Sequence, residues 1–252
     1  MTPGRVASTL KLVDFASHFF GVPEETIMNF VEEDRTGRKS NTPIPVMPRW
    51  QDAILEQEIP EGASVLDLGC GQGELLSRLI ETRSVRGQGI ELDPEAVASC
   101  IARGVPVIQS DLDEGLRGFS DESFDLVVLE ETLQTLRRPM GILEEMLRVG
   151  RKCAVSFPNF AFWKVWVDFA LRGRMPVTGT LPYEWHDSPN VHLFTYRDFA
   201  DWAEKSGVTM SGVFVLSEGR VDRYRDVDDF RGEEMLVFVE KSIWPSGCTS
   251  SG

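Results

Sequence analysis

The chain runs to 252 residues, enough for one α/β domain with additions or for two small domains, with a sizeable buried core. Hydrophobic residues at 42% and charged residues at 26% match soluble globular proteins, which excludes a chain disordered throughout. Its 40 acidic residues against 26 Lys and Arg leave a net charge of -14; that field repels phosphate backbones, so no nucleic-acid partner is expected.

From the N-terminus, Thr9–Phe20 and Pro23–Glu33 read as helices, and Thr36–Pro48, with Pro43, Pro45 and Pro48 among polar residues, reads as a linker. Residues 1–48 are therefore expected to be a helical extension to a main domain at 49–245, with a flexible tail at 246–252. Lys11 and Asp14 interrupt the first apolar stretch, which does not match a secretory leader. Between Ser64 and Phe157, apolar runs alternate with helical patterns, the mark of βαβ units and a mainly parallel sheet. Strands are expected at Ser64–Leu68, Gln88–Leu92, Val105–Gln109, Phe124–Glu130 and Lys152–Phe157, with helices at Glu74–Glu81, Pro94–Arg103 and Pro139–Val149. After Phe157 the alternation stops, then resumes with a helix near Tyr196–Lys205 and strands near Thr209–Leu216 and Met235–Glu240, seven strands in all. The charged run Glu218–Glu234 reads as a solvated loop.

Cys70, Cys100, Cys153 and Cys248 form no CxxC pair, which argues against zinc and a disulfide framework and fits a reducing cytoplasm. No metal site is expected. Phe160–Leu171 contains Lys164 and Asp168 and is too short to span a bilayer, so no membrane segment is expected either.

The strongest local signal is Val65-Leu66-Asp67-Leu68-Gly69-Cys70-Gly71-Gln72-Gly73-Glu74, an apolar strand ending in glycines that opens into an amphipathic helix. Glycines permit a tight turn and a close ligand approach, and the helix start offers free N–H donors. A dinucleotide fingerprint needs a third glycine where Glu74 stands, and no GK[ST] follows, so a nicotinamide cofactor and a nucleotide triphosphate are both disfavoured. A carboxylate at the helix start would repel a pyrophosphate. S-adenosylmethionine carries no phosphate and escapes that objection. Glu91 closes the second strand, where a carboxylate can accept from both ribose hydroxyls, with Leu92 beside it. After the third strand, Asp111 can accept from an adenine amino group, and Leu112 can pack on the ring.

These residues resemble the class I S-adenosylmethionine-dependent methyltransferases, and from Ala53 to Val208 the chain is similar to the methionine biosynthesis protein MetW family. The stretches that carry this are DLGCGQGELL, GIELD, CIARGVPVIQSDLDEGL, SFDLVVLEETLQTLRRP, EMLRVGRKCAVSFPNF and GRMPVTGTLPYEWHDSPNVHLFTYRDF. GRMP at Gly173–Pro176 and Leu181–His192 are more specific than the Gly-rich loop. The resemblance implies an α/β, Rossmann-like class I methyltransferase fold with a seven-stranded mainly parallel sheet and helices on both faces. It implies S-adenosylmethionine or S-adenosylhomocysteine as cofactor, held by Asp67, Gly69, Gly71, Gln72, Gly73, Glu91, Leu92, Asp111, Leu112 and Glu130. Gln72 departs from the acidic residue MetW-like sequences often carry there.

The family is associated with methionine synthesis and with homoserine O-acyltransferase, MetX, as partner. The resemblance thus implies a helper of that enzyme as readily as a methyltransferase acting on a small molecule. No catalytic residue stands out. Methyl transfer mainly demands alignment of a nucleophile. The Ser156-Phe157-Pro158-Asn159 turn follows the fifth strand, whereas the Asn/Asp-Pro-Pro-aromatic motif of amino-methylating enzymes follows the fourth, where Glu130 and Glu131 stand; nucleobase and amide methylation lose support. Phe160–Leu171 places Trp163, Trp166, Val167 and Ala170 at helical spacing, with Phe162, Val165 and Phe169 around the rest. One face can pack on the domain, and the other suits a lid or a protein partner. His186 and His192, among Tyr183, Trp185, Asp187 and Asn190, are a possible rim of the site.

Overall fold

A computed structural model describes residues 3–33 and 49–242; the expected linker and the tail lie outside these. The described residues form eight α-helices and eight strands. Helices α1 (Pro3–Phe20), α2 (Glu24–Glu33) and α3 (Trp50–Glu58) lead into β1 (Ser64–Leu68), α4 (Glu74–Arg83), β2 (Arg86–Glu91), α5 (Pro94–Ala102) and β3 (Val107–Gln109). Next come β4 (Phe124–Glu130), α6 (Pro139–Val149), β5 (Gly150–Pro158), α7 (Trp163–Arg172) and α8 (Tyr196–Lys205). Strands β6 (Val208–Ser217), β7 (Arg220–Arg223) and β8 (Glu234–Lys241) finish the sheet. Its order is β3-β2-β1-β4-β5-β8-β6-β7, parallel from β3 through β5 and antiparallel beyond.

Strand pleating sends alternate residues to two cores. Leu66, Leu68, Val127, Leu129 and Val155 pack with Ile142 and Met146 of α6 and Phe199 of α8. Val65, Leu126, Val128 and Ala154 pack with Leu55 of α3, Leu76 and Leu79 of α4 and Cys100 of α5. A third core, apart from the sheet, joins Val13 and Ala16 of α1 and Ile27 and Val31 of α2 to Phe162, Trp163 and Val167 at α7.

Local chemistry fixes the helix ends that frame the site. Asp93 caps α5, accepting from the Glu95 N–H at 3.1 Å, and Pro94 takes the first turn, where no N–H is needed. Thr195 and Asp198 form a capping box at α8.

The expected elements all form, and three features differ from expectation. The sheet has eight strands instead of seven, because Arg220–Arg223, inside the expected solvated loop, pairs with β6 across a two-residue turn. Both turn residues, Glu218 at φ 50° and Gly219 at φ 74°, have the positive φ that matches hairpin twist. Further along that same run Asp228, Asp229 and Glu234 are buried, with Asp229 accepting from Tyr224 and Arg197. Helix α3, absent from the expected elements, docks across the strand ends. Finally, β2 starts at Arg86 and stops at Glu91, leaving Leu92 in the loop, and β3 is cut to three residues.

Candidate functional site

The sheet order reverses between β1 and β4, and in open α/β sheets the crevice beyond such a reversal is where ligands settle. A cleft of about 740 Å³ lies there, lined by Asp67, Gly69, Cys70, Gly71 and Gln72 of the loop, Glu130 from β4, and Arg49 and Asp52 from the start of α3. Gly69, Gly71 and Gly73 have φ of 71°, 53° and 75°. At Gly69 and Gly73 a side chain would press on Thr132 Oγ1 at 2.8 Å and Cys100 Sγ at 2.9 Å, so those two glycines serve packing. At Gly71 nothing lies within 4 Å of where a Cβ would sit. The backbone of Gly71 faces open cleft.

Glu91 organises this loop. One oxygen, Oε2, accepts from the Gly71 N–H at 2.8 Å, and Oε1 accepts from the N–H groups of Leu92 at 2.7 Å and Asp93 at 2.9 Å. Each carboxylate oxygen has two acceptor sites, so Oε2 keeps one open to a further donor. Asp111 accepts from the Asp113 N–H at 2.9 Å and starts a short 3-10 turn, while Leu112 is buried against the same core as Ile90. The Leu92 side chain is exposed.

On the far side of the loop the cleft is floored by carboxylates. Burial pushes Asp67 up to about 7; nearby Arg49 lowers it, and Asp52 and Glu91 raise it further. Glu130 is raised well above the ordinary carboxyl range by burial and then by Asp67 and Asp52, against the pull of Arg49, whose Nη1 lies 3.3 Å from Glu130 Oε2. Asp52 pairs with Arg78 of α4. Next to these, Glu234 accepts from Trp50 Nε1 at 2.8 Å and from Gln51 Nε2, and burial, then the neighbouring Glu131, raises it. Glu131 holds φ 46°, and its N–H donates to the Ser156 carbonyl at 3.1 Å. A non-glycine residue in that region is uncommon, and here it directly follows Glu130, which lines the cleft.

Arg49, Asp52 and Glu234 went unrecognised in the sequence. The one available sign for the first two was a helical pattern, Trp50, Ile54 and Leu55, directly after Pro48. Other candidates stand apart from the cleft. His186 packs edge-on to Trp185, and His192 lies in a separate groove with Leu133, Met140 and Trp202. Asn159 is fully used inside the fold, donating to the Asp229 and Gly232 carbonyls at 2.8 and 3.0 Å and accepting from the Ala161 and Tyr196 N–H groups. On α7, Trp163 is 1% exposed and stacks edge-on to Phe30, whereas Trp166 is 54% exposed beside Phe169. Of Trp163 and Trp166, only Trp166 faces outward. Among the described residues, no group of His, Cys, Asp and Glu has metal-site geometry, and no helix is long and apolar enough to cross a membrane.

The donor set suits S-adenosylmethionine or S-adenosylhomocysteine: bare backbone at Gly71, the Glu91 carboxylate at the end of β2 bonded to that backbone with an acceptor site to spare, room in the cleft, and buried acceptor atoms on Glu130 and Asp52 that no described group satisfies. Residues 49–239 match the family model described as methionine biosynthesis protein MetW. A bifunctional methionine biosynthesis protein MetXA/MetW from Rhodopirellula baltica is 39% identical over 160 residues; the match takes in 60% of this chain and 26% of that longer one. Among solved structures, a methyltransferase of Thermotoga maritima described as a possible histamine N-methyltransferase superposes with a TM-score of 0.56 at 18% identity, covering 76% of this chain and 87% of the other. The [4+2]-cyclase SpnF superposes equally, at 0.56 and 16% identity, over 77% and 81%. The fold is that of the class I S-adenosylmethionine-dependent methyltransferases.

Proposed function

Since the chain belongs to the methionine biosynthesis protein MetW family, we propose that it binds S-adenosylmethionine or S-adenosylhomocysteine and acts as partner or activator of homoserine O-acyltransferase, MetX. The observation that carries the partner reading is the Rhodopirellula baltica relative, whose name joins MetXA to MetW in one chain. Fusion gives two modules a high effective concentration, a benefit only to modules that work together. The outward face of α7 supports it, since Trp166 and Phe169 are large, exposed and adjacent, with Phe15 and Phe19 of α1 also exposed. The reading includes a cytoplasmic site of action, in keeping with a biosynthetic family and with Cys70, Cys100 and Cys153, the described cysteines, left as thiols.

The cofactor part rests on the cleft. Asp67, Gly69, Gly71, Gln72 and Gly73 would line the ligand, Glu91 with Leu92 would take the ribose, Asp111 and Leu112 the adenine, and Glu130 the opposite end. When bound, S-adenosylmethionine would supply a methyl group on a positively charged sulfur. The protein's own part is to hold that ligand along the strand ends and keep water from its inner edge.

Co-purification with the host's homoserine O-acyltransferase, followed by an acylation assay with and without this chain, tests the proposal. Activation on mixing supports it. A second reading, a methyltransferase acting on a small molecule, is favoured by Glu131, whose backbone is held at φ 46° where the fourth strand meets the cleft. Methylation of a small molecule in host extract, with no effect on the acyltransferase, would replace the first reading by the second.

A further inference from the structure

Glu130 and Asp52 come from different elements, β4 and α3, and are built alike. Each spends one oxygen on a guanidinium: Glu130 Oε2 on Arg49 and Asp52 Oδ2 on Arg78. The second oxygen of each, Glu130 Oε1 and Asp52 Oδ1, is buried with no hydrogen-bond partner among the described residues. Both residues line the cleft, at 7% and 5% exposure, and Asp67 at its floor is close enough to repel both. The guanidiniums do not cancel this field: the Arg49 side chain is 54% exposed and screened by water, and Arg78, whose Nε and Nη2 are buried, shares its charge between Asp52 and Glu56. A buried acceptor without a partner is costly, so this arrangement calls for a cation.

The place of the well in the sheet says which cation. Glu91, the ribose candidate, ends β2 and Asp111, the adenine candidate, follows β3 on one side of β1, and Glu130 ends β4 on the other. A ligand whose nucleoside was held by Glu91 and Asp111 would extend its remaining, sulfur-bearing part past the Gly-rich loop towards Asp67 and Glu130. We propose that Asp52, Asp67 and Glu130 form an anionic well that reads the charge at the ligand's sulfur, holding a sulfonium or an ammonium there and disfavouring a neutral thioether. The inference rests on the cofactor reading above and adds a direction: the site distinguishes S-adenosylmethionine from S-adenosylhomocysteine, the charged form from the spent one. A chain that makes this distinction carries information on the methylation state of the cell's sulfur pool.

The raised carboxyl values support the same picture. Burial raises Asp67 to about 7 and Glu130 well above the ordinary carboxyl range, so a cation held beside these two would displace protons from them; the charged groups around them are Arg49 and Asp52 at α3, Arg78 of α4, Glu91 of β2 and Glu131 after β4.

Titration calorimetry on the full chain provides the test, with three probes that share adenosine and the amino-acid end: S-adenosylmethionine, S-adenosylhomocysteine, and sinefungin, in which an amine-bearing carbon replaces the methylsulfonium. The two cations are expected to bind at least about tenfold tighter than the thioether, the scale of one charge-assisted contact. Glu130→Gln and Asp52→Asn should each shrink that gap to roughly twofold, mainly by weakening the cations. Repeating the titration in buffers of different ionisation enthalpy should show proton release with the cations and none with the thioether. Equal or tighter binding of the thioether to the wild-type protein overturns the charge-reading well and leaves the cofactor site standing; so does a gap that survives both substitutions. If none of the three probes binds, the cofactor reading itself falls. The wild-type comparison needs no variant, so the well can be refuted even where a substituted chain fails to fold.

Discussion

Gly71 and Glu91 are tied by a 2.8 Å hydrogen bond from the backbone N–H of the first to the carboxylate of the second, so the residue expected to hold the ribose also holds the loop. Removing the carboxylate withdraws both. Glu91→Ala should weaken S-adenosylmethionine and S-adenosylhomocysteine alike, by about 1.5–3 kcal/mol or more, the range for hydrogen bonds to a charged group. Calorimetry measures it, and unchanged affinity would remove Glu91 from the site.

Gly71→Val and Gly69→Ala separate ligand space from packing. The Cβ of a valine at Gly71 meets no atom within 4 Å beyond its chain neighbours among the described residues, but the side chain enters the open cleft and strains a φ of 53°, so binding should vanish while the fold survives with a modest loss of stability. Alanine at Gly69 would put its Cβ 2.8 Å from Thr132 Oγ1 and should lower the melting temperature with or without ligand. Normal binding by Gly71→Val would place the ligand elsewhere.

Asp67 makes the free protein's stability depend on pH. Its carboxyl is pushed up to about 7 in the fold from an ordinary value of 3.8, so between those values the folded chain holds a proton that the unfolded chain has lost. That stability is present in full below the unfolded value and is lost as pH rises through about 7. Asp67→Asn removes the titration. Compared with wild type, the variant should gain on the order of 1 kcal/mol or more between about pH 4 and pH 8. Denaturant titrations across that range check this, and parallel profiles would contradict it.

On α7, Trp166→Ala should weaken a complex with the acyltransferase by about 2 kcal/mol if the helix sits at the interface centre, with the melting temperature unchanged. Trp163→Ala, by contrast, opens a hole between α7 and α2 and should cost roughly 3–5 kcal/mol of stability. A Trp166→Ala protein that binds the partner normally would move the interface off this helix.

The loop was legible in the sequence because its determinants are local: an apolar strand, three glycines at GxGxG spacing and a helix start occupy Val65–Glu74 without interruption. The acidic well was only half legible. Asp67 and Glu130 sit on strands whose apolar runs give them away, but Arg49 meets Glu130 across 81 residues, and no local pattern says that α3 docks over the strand ends. Strand β7 was hidden for another reason: Arg220-Val221-Asp222-Arg223 has one apolar residue in four and gains its pairing from the Glu218-Gly219 turn, not from burial. Edge strands are commonly charged, because charge discourages pairing with other chains.

The small core shared by α1, α2 and α7 sets inheritance and mechanics at odds. The part that the family model recognises begins at residue 49, yet Phe162, Trp163 and Val167 within that part are covered by Val13, Ala16, Ile27 and Val31 from before it. A chain cut at residue 49 would keep its full family likeness and uncover an indole and a phenyl ring beside the already exposed Trp166. Such a surface is adhesive. The boundary that marks kinship is therefore a poor place to use scissors, and a cut copy is better judged first by whether it stays dispersed than by what it binds.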